Sequence, residues 1–156
     1  MGDAADEERQ PQSLAETTSN ILEEARMILP GTQTLFGFQL IVPFNQRFQD
    51  RLSAPEQRLH LLAMALVAVA MAMLMTPAVY HRRVETESVS RLFVHLATQL
   101  LTWSTRPLLV AICLDFYLAA SLVTHEPFIS VILAVALAAV FTVLWVLLPA
   151  REAGRR

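Results

Sequence analysis

Four long apolar segments alternate with short polar ones along this chain. The apolar segments cover residues 27–44, 59–79, 103–123 and 128–148, and within the second the stretch LLAMALVAVAMAMLMTPAV has Thr76 as its one polar residue. A helix of a soluble bundle would keep a polar face that recurs with the helical period, and these segments keep none. Because about 20 apolar residues cross ~30 Å of hydrocarbon, the pattern predicts an all-α, four-helix transmembrane bundle made of two hairpins.

The polar residues around these spans divide the chain into three parts. Residues 1–19 are acidic and predict a disordered tail. Residues 20–149 form the predicted membrane domain, and residues 150–156 form a basic tail. Asn20 and Glu23 have the spacing of a capping box that opens a helix. We expect short interfacial helices before the first and third spans and a bend at Pro30, and the sequence leaves open whether Pro107 kinks or breaks the third helix.

The distribution of arginine predicts the orientation of the bundle. With four spans, both tails and the 80–106 linker share one side, and that side holds nine of the twelve arginines. The positive-inside rule therefore places both termini in the cytoplasm, since acidic residues count for little in it. The arginines lie scattered along the helix ends rather than on one face, which argues against nucleic acid as a partner. The lipid bilayer is the partner that the composition predicts.

Asp115 is the only acid inside a predicted span. A carboxylate in hydrocarbon is costly and often marks a path for ions or protons. Two interpretations stay open, a proton- or cation-binding site facing the bundle interior and a protonated side chain that hydrogen-bonds a neighbouring helix. Arg106 is not expected to pair with Asp115, because nine residues at ~100° each place the two on opposite sides of a helix.

Polar residues in two other segments are further candidates. Gln33 and Gln39 lie in the first span, which Gly37 and Pro43 also interrupt. Interrupted helices with free backbone groups build ion sites in many transporters, so both glutamines join Asp115 as candidate ion or proton ligands. Tyr80, His81 and Arg82 close the second span and are a candidate inner-mouth motif.

No motif of an enzyme is found along the chain. A nucleophile elbow, a zincin helix, a phosphate loop and paired membrane carboxylates are all missing. We therefore expect no enzymatic activity, no catalytic residue, no cofactor and no metal. His60 and His125 are predicted near the outer surface, and two histidines are too few for a metal site.

Two segments resemble a known family. Residues 25–48, ARMILPGTQTLFGFQLIVPFNQRF, and residues 76–83, TPAVYHRR, are similar to motifs of small bacterial four-span membrane proteins that are grouped as a domain of unknown function. The likeness covers nearly everything from residue 20 to residue 149. It implies a helical protein of the bacterial inner membrane with no settled activity, and some relatives carry a sodium:proton antiporter label. Asp115 is not part of the family pattern.

Two functions follow as hypotheses. The first is a structural or accessory membrane component that assembles with a second copy of the chain or with another membrane protein. Its support is the small-residue spacing of Ala68 with Ala72 and of Ala134 with Ala138, which lets helices approach closely. The second is an antiporter that exchanges a monovalent cation for protons through Asp115, Gln39 and the inner-mouth motif.

Overall fold

The computed structural model describes residues 13–84 and 90–153, and these are almost entirely helical with no strand among them. The helices are α1 (Leu14–Ile41), α2 (Gln46–Arg51), α3 (Ala54–Val84), α4 (Arg91–Thr124), α5 (Pro127–Thr142) and α6 (Leu148–Ala153). A 3₁₀ turn, Val42–Phe44, follows α1, and a π-helical turn, Val143–Leu147, joins α5 to α6.

Four helical stretches are long and apolar enough to cross a membrane: Leu14–Phe44, Ala54–Val84, Arg91–Thr124 and Pro127–Arg151. Short connections join them, so consecutive stretches run antiparallel. The fold is therefore the predicted four-helix transmembrane bundle, and the protein is a small multi-pass membrane protein. We call the end with residues 42–53 and 125–126 the loop end, and the end with Ser13, Val84 and Ser90 the tail end.

Helix α4 is the centre of the bundle. It packs most extensively on α3, while α1 covers both α3 and α4. Among the described residues α5 packs on α4 and makes no extensive contact with α1 or α3. The architecture is thus a three-helix bundle of α1, α3 and α4 with α5 attached along one side.

Three buried clusters follow one another along the three-helix bundle. The cluster at the tail end contains Ile21, Ala25, Leu74, Phe93, Ala97 and Leu101. The second contains Ala63, Val67, Ala70, Leu108 and Ala111. The third, at the loop end, contains Phe48, Leu52 and Leu118. The second group, which we call the middle cluster, contains three alanines with no exposed surface. Small side chains at these positions allow α3 and α4 to approach closely.

The close-packed alanines differ from those that the sequence spacing suggests. Ala68 and Ala72 are both exposed, because they lie on the side of α3 that faces away from α4. Ala134 and Ala138 are half-buried on the side of α5 that faces α4. The α5 pair therefore lies in a helix contact within the chain, while the α3 pair is on an outer face, where its role in close approach between helices stays a prediction.

The first helix starts earlier than predicted. The Ser13 hydroxyl accepts a hydrogen bond from the Glu16 backbone N–H at 3.2 Å, so Ser13 rather than Asn20 caps α1. Residues 14–19 are helical, and the disordered tail predicted over residues 1–19 is too long. Residues 1–12 of that tail lie outside the described residues.

Proline does not break any of the long helices. Pro30, Pro77 and Pro107 lie inside α1, α3 and α4, which continue through them. The expected bend at Pro30 does not separate an interfacial helix, and the segments predicted as interfacial helices are continuous with α1 and α4. Breaking a helix would expose further backbone groups in apolar surroundings, whereas one proline removes a single hydrogen bond.

We predict that Ala70→Leu lowers the free energy of unfolding by about 1–3 kcal/mol, since the added carbons must enter a filled helix contact. The matched control is Ala72→Leu on the exposed side of α3, which should change it by less than about 0.5 kcal/mol. Denaturation in detergent micelles followed by circular dichroism measures both. Equal losses of unfolding free energy in the two variants would contradict the structure, in which Ala70 faces α4 and Ala72 faces away from it.

Candidate functional site

Asp115 faces the interior of the bundle and meets one side chain from each of two neighbouring helices. Gln39 of α1 donates its Nε2–H to Asp115 Oδ2. His60 of α3 places Nδ1 3.5 Å from Asp115 Oδ1. Gln39 and His60 are each 3% exposed, and the Asp115 side chain is 21% exposed. These three residues form the Asp115 cluster.

Hydrogen bonds at the start of α3 determine where His60 lies. The backbone N–H and the hydroxyl of Ser53 both donate to Glu56, which fixes the start of α3. The Ser121 hydroxyl of α4 donates to the same carboxylate at 3.1 Å and ties the two helices together. His60 follows Glu56 by four residues, so it lies one turn deeper on a similar face of α3.

A proline supplies the hydrogen-bond partner that orients His60. In a continuous α-helix the carbonyl of Gln39 would accept from the backbone N–H of residue 43. Residue 43 is proline, which has no N–H, so this carbonyl is free. His60 Nε2 lies 2.9 Å from the Gln39 carbonyl oxygen and fills that vacancy.

This hydrogen bond determines which nitrogen of His60 carries hydrogen. A carbonyl oxygen only accepts, so Nε2 is the donor and bears the proton. In neutral His60 the other nitrogen, Nδ1, then turns a lone pair toward Asp115. An ionised Asp115 would place two acceptors together, so a proton between Nδ1 and Oδ1 stabilises the pair. The His60–Asp115 pair is therefore built to hold one proton.

One acceptor in the cluster has no partner. Gln39 Oε1 is buried and finds no hydrogen-bond partner among the described residues. The amide orientation follows from chemistry, because the opposite orientation would turn Oε1 toward the carboxylate. An unpaired buried oxygen costs free energy unless a donor or a cation occupies the space in front of it.

A cavity of about 260 Å³ lies against the Asp115 cluster. It is bounded by the whole Asp115 cluster and by apolar side chains, which include Phe38, Val42, Leu118 and Leu122. This volume is enough for several water molecules at ~30 Å³ each, or for a small cation with part of its hydration shell. The Asp115 carboxylate and the Gln39 amide are the oxygen-bearing groups of this lining that could ligate a small cation.

Access to the cluster is from the loop end. His60 also borders a second cavity of about 380 Å³, which Gln49, Gln57 and Pro43 line. The Phe48 ring lies between the two cavities and contacts the imidazole edge-on, with centroids 5.1 Å apart. Toward the tail end the middle cluster, purely apolar, closes the bundle. The Asp115 cluster is therefore open on one side and sealed on the other.

The structure brings together only part of the predicted ion site. Gln39 and Asp115 are in direct contact, as a shared site requires. Gln33 is exposed on the outer side of α1, so the structure does not bring it into the Asp115 cluster. Its six-residue separation from Gln39 is a turn of ~600° in an unbroken helix, which leaves the two on different faces.

The predicted inner-mouth motif lies at the tail end, far along the bundle from Asp115. The Tyr80 ring stacks on Phe93 with centroids 5.7 Å apart, and the His81 ring lies 5.5 Å from Phe93. Arg82 is exposed. Tyr80 and His81 thus pack on Phe93 of α4, Arg82 is at the exposed surface, and the motif lies away from the Asp115 cluster.

His60 is a site residue that the sequence analysis does not assign to the site: it is expected near the outer membrane surface, and the structure places it six residues after the start of α3, near the loop end, with its side chain buried in the bundle. Two signals in the sequence point to it: His60 follows Arg58 at the start of an apolar helix, and Pro43 removes the partner of a carbonyl four residues earlier. Only the packing of α1 on α3 brings these features together. Arg106 behaves as predicted, since it is exposed and stacks over Trp103 at 3.6 Å. Within the described residues no three His, Cys, Asp or Glu residues are grouped to hold a metal.

Comparison with known proteins places the chain in a family. A family of unknown function, DUF6328, matches residues 7–149, which is most of the chain, so the protein belongs to it. No curated protein matches the chain. No solved structure matches it either.

We predict that nitrogen-15 NMR of the protein in micelles finds His60 with hydrogen on Nε2. Pro43→Ala supplies an amide that competes for the Gln39 carbonyl, so this variant should shift the Nε2 signal of His60. His125, which is exposed at the far turn, is the internal control and should be unchanged. A neutral His60 with hydrogen on Nδ1 alone would contradict the described site.

We predict that Asp115→Asn is tolerated and that Asp115→Ala is not. Asparagine can accept from Gln39 and donate to His60 Nδ1, as a protonated aspartic acid does. Alanine leaves both partners unsatisfied and should cost about 1–3 kcal/mol. Unfolding in detergent measures the difference, and an equal loss in the two variants would show that the pair does not share a proton.

Proposed function

We propose that this protein binds protons within the membrane at the Asp115 cluster and exchanges them for a monovalent cation. The observation that supports this proposal best is the His60–Asp115 pair, oriented to hold one proton beside an unpartnered amide oxygen. An ionisable pair inside a membrane bundle is expensive and is retained where it serves a function.

The exchange follows from charge balance in the cavity. With one proton, the His60–Asp115 pair is neutral. When that proton leaves, the carboxylate carries a negative charge, and Gln39, whose Oε1 has no hydrogen-bond partner among the described residues, can supply a second oxygen ligand. A monovalent cation such as sodium is bound by oxygen ligands and restores the neutrality of the cavity. One proton and one cation therefore compete for the same place.

The transport step requires the sealed side to open. In the described arrangement the cluster is reached from the loop end, and the middle cluster closes the path to the tail end. Carriers of this class alternate which side reaches the site. We propose that the arginine-rich tail end is cytoplasmic, that the loop end faces outward, and that the protein resides in the bacterial inner membrane. We propose no enzymatic reaction for it.

We predict that the protein in liposomes with an enclosed pH dye moves protons when a sodium gradient is imposed. Asp115→Asn should abolish this flux, since asparagine cannot release the shared proton. Asp50→Asn is the matched control, because Asp50 is exposed at the loop end. No flux from folded wild-type protein, or equal flux in both variants, would refute proton exchange at this site.

A second candidate function is a structural or accessory component that self-associates. The attachment of α5 favours it: within the described part of the chain this helix packs extensively on α4 and not on α1 or α3, and Val131, Ile132 and Val135 are 48%, 51% and 61% exposed. A second copy of the chain could cover this side of α5 in the membrane.

We predict that Val135→Cys, made with Cys113→Ala, cross-links into dimers in membranes if α5 is the interface. Val69→Cys in the same background is the control, because Val69 is exposed to a similar extent on α3. Gel electrophoresis after oxidation measures the dimer. Equal cross-linking at the two positions would indicate chance collision and refute this interface.

A further inference from the structure

A groove at the tail end, between α1 and α3, combines apolar walls with a basic rim. Its volume is about 790 Å³. Leu22, Leu29, Met75 and Val79 belong to its apolar lining. Arg26, Arg82 and Arg83 belong to the same lining and are all exposed. The apolar and the basic side chains are thus continuous on one surface of the bundle.

The depth of the groove matches the boundary between hydrocarbon and headgroups. Trp103, with Arg106 stacked on it, is exposed on α4, as side chains of the aromatic belt are. Leu101 packs in the same cluster as Leu74, so the inner part of the groove is near the level of this belt. Arg82 follows Leu74 by eight residues, ~12 Å along α3, and a long arginine side chain can reach back toward the phosphate layer.

The charge of the groove is not neutralised by its own lining. The lining includes no acidic residue. None of its three arginines forms an ion pair within the part of the chain that the structure describes. His81 borders the groove as well, and its buried Nδ1 has no hydrogen-bond partner among the described residues. The groove therefore offers several donors and a positive charge to a ligand.

We propose that this groove binds an anionic phospholipid. The headgroup phosphate is held by Arg26 and Arg82, since guanidinium groups match phosphate oxygens with paired donors. The acyl chains lie along Leu29, Met75 and Val79. A soluble phosphate would leave the apolar walls uncovered, and a zwitterionic lipid would not compensate the arginines, so charge and shape together select a lipid with net negative charge. This site is separate from the Asp115 cluster and does not depend on the proposed exchange.

Native mass spectrometry of the full chain in detergent tests the proposal, with phosphatidylglycerol and phosphatidylcholine of identical acyl chains as probes. We expect phosphatidylglycerol to bind more tightly, and Arg26→Gln or Arg82→Gln to weaken it by about five-fold each. Arg91→Gln is the matched control, because Arg91 is exposed at the same end but outside the groove. It should bind as the wild type does.

Two further variants separate the contribution of charge to lipid binding from the contribution of groove shape. Arg82→Lys keeps the charge and should retain most of the binding, whereas Ala78→Phe fills the groove and should reduce it without a change of charge. Inorganic phosphate should not displace the lipid at millimolar concentration. Equal binding of the two lipids, equal losses in Arg91→Gln and Arg82→Gln, or displacement by inorganic phosphate would each overturn the proposal.

Discussion

The hydrogen bond between the Gln39 carbonyl and His60 is the interaction on which the interior site depends. Pro43 frees the carbonyl, the carbonyl orients the imidazole, and the imidazole then turns an acceptor toward Asp115. Without this chain of contacts the Gln39 amide would be the single side-chain partner of Asp115 among the described residues, in an apolar bundle where a poorly paired charge is costly. A single missing backbone N–H in α1 therefore determines the protonation chemistry on α4.

The close packing of α3 on α4 holds the contributing helices in register. Fully buried alanines in the middle cluster let the two backbones approach, and the larger side chains of the tail-end and loop-end clusters fill the wider spaces. Because polar residues from three helices must meet within hydrogen-bond distance, a small slip of one helix would separate them. The apolar core and the polar site are parts of one arrangement, in which van der Waals contact supplies the precision that the hydrogen bonds need.

The sequence predicts the number and class of the helices well, because apolar length is a direct consequence of the bilayer. It predicts Asp115 and Gln39 because polar residues are conspicuous inside apolar spans. It also suggests Gln33, but six residues separate Gln33 from Gln39 in a continuous helix, so the two glutamines face different ways. It does not single out His60, because a histidine near the start of an apolar segment has no identifiable partner until the packing of α1 on α3 is known. One sequence does not specify which face of each helix turns inward or which helices pack on one another.

The apolar middle cluster also acts as an electrical insulator. Across an energised membrane the voltage falls mainly where water and charge are excluded, and here that region lies between the Asp115 cluster and the tail end. Under the exchange proposed above, an ion entering from the loop end would cross only part of the field, out of the ~2.3 kcal/mol per charge that 100 mV supplies over the full thickness. The remaining voltage would act on a charge that leaves the site toward the other side, so the proposed exchange would depend on the membrane potential as well as on acidity.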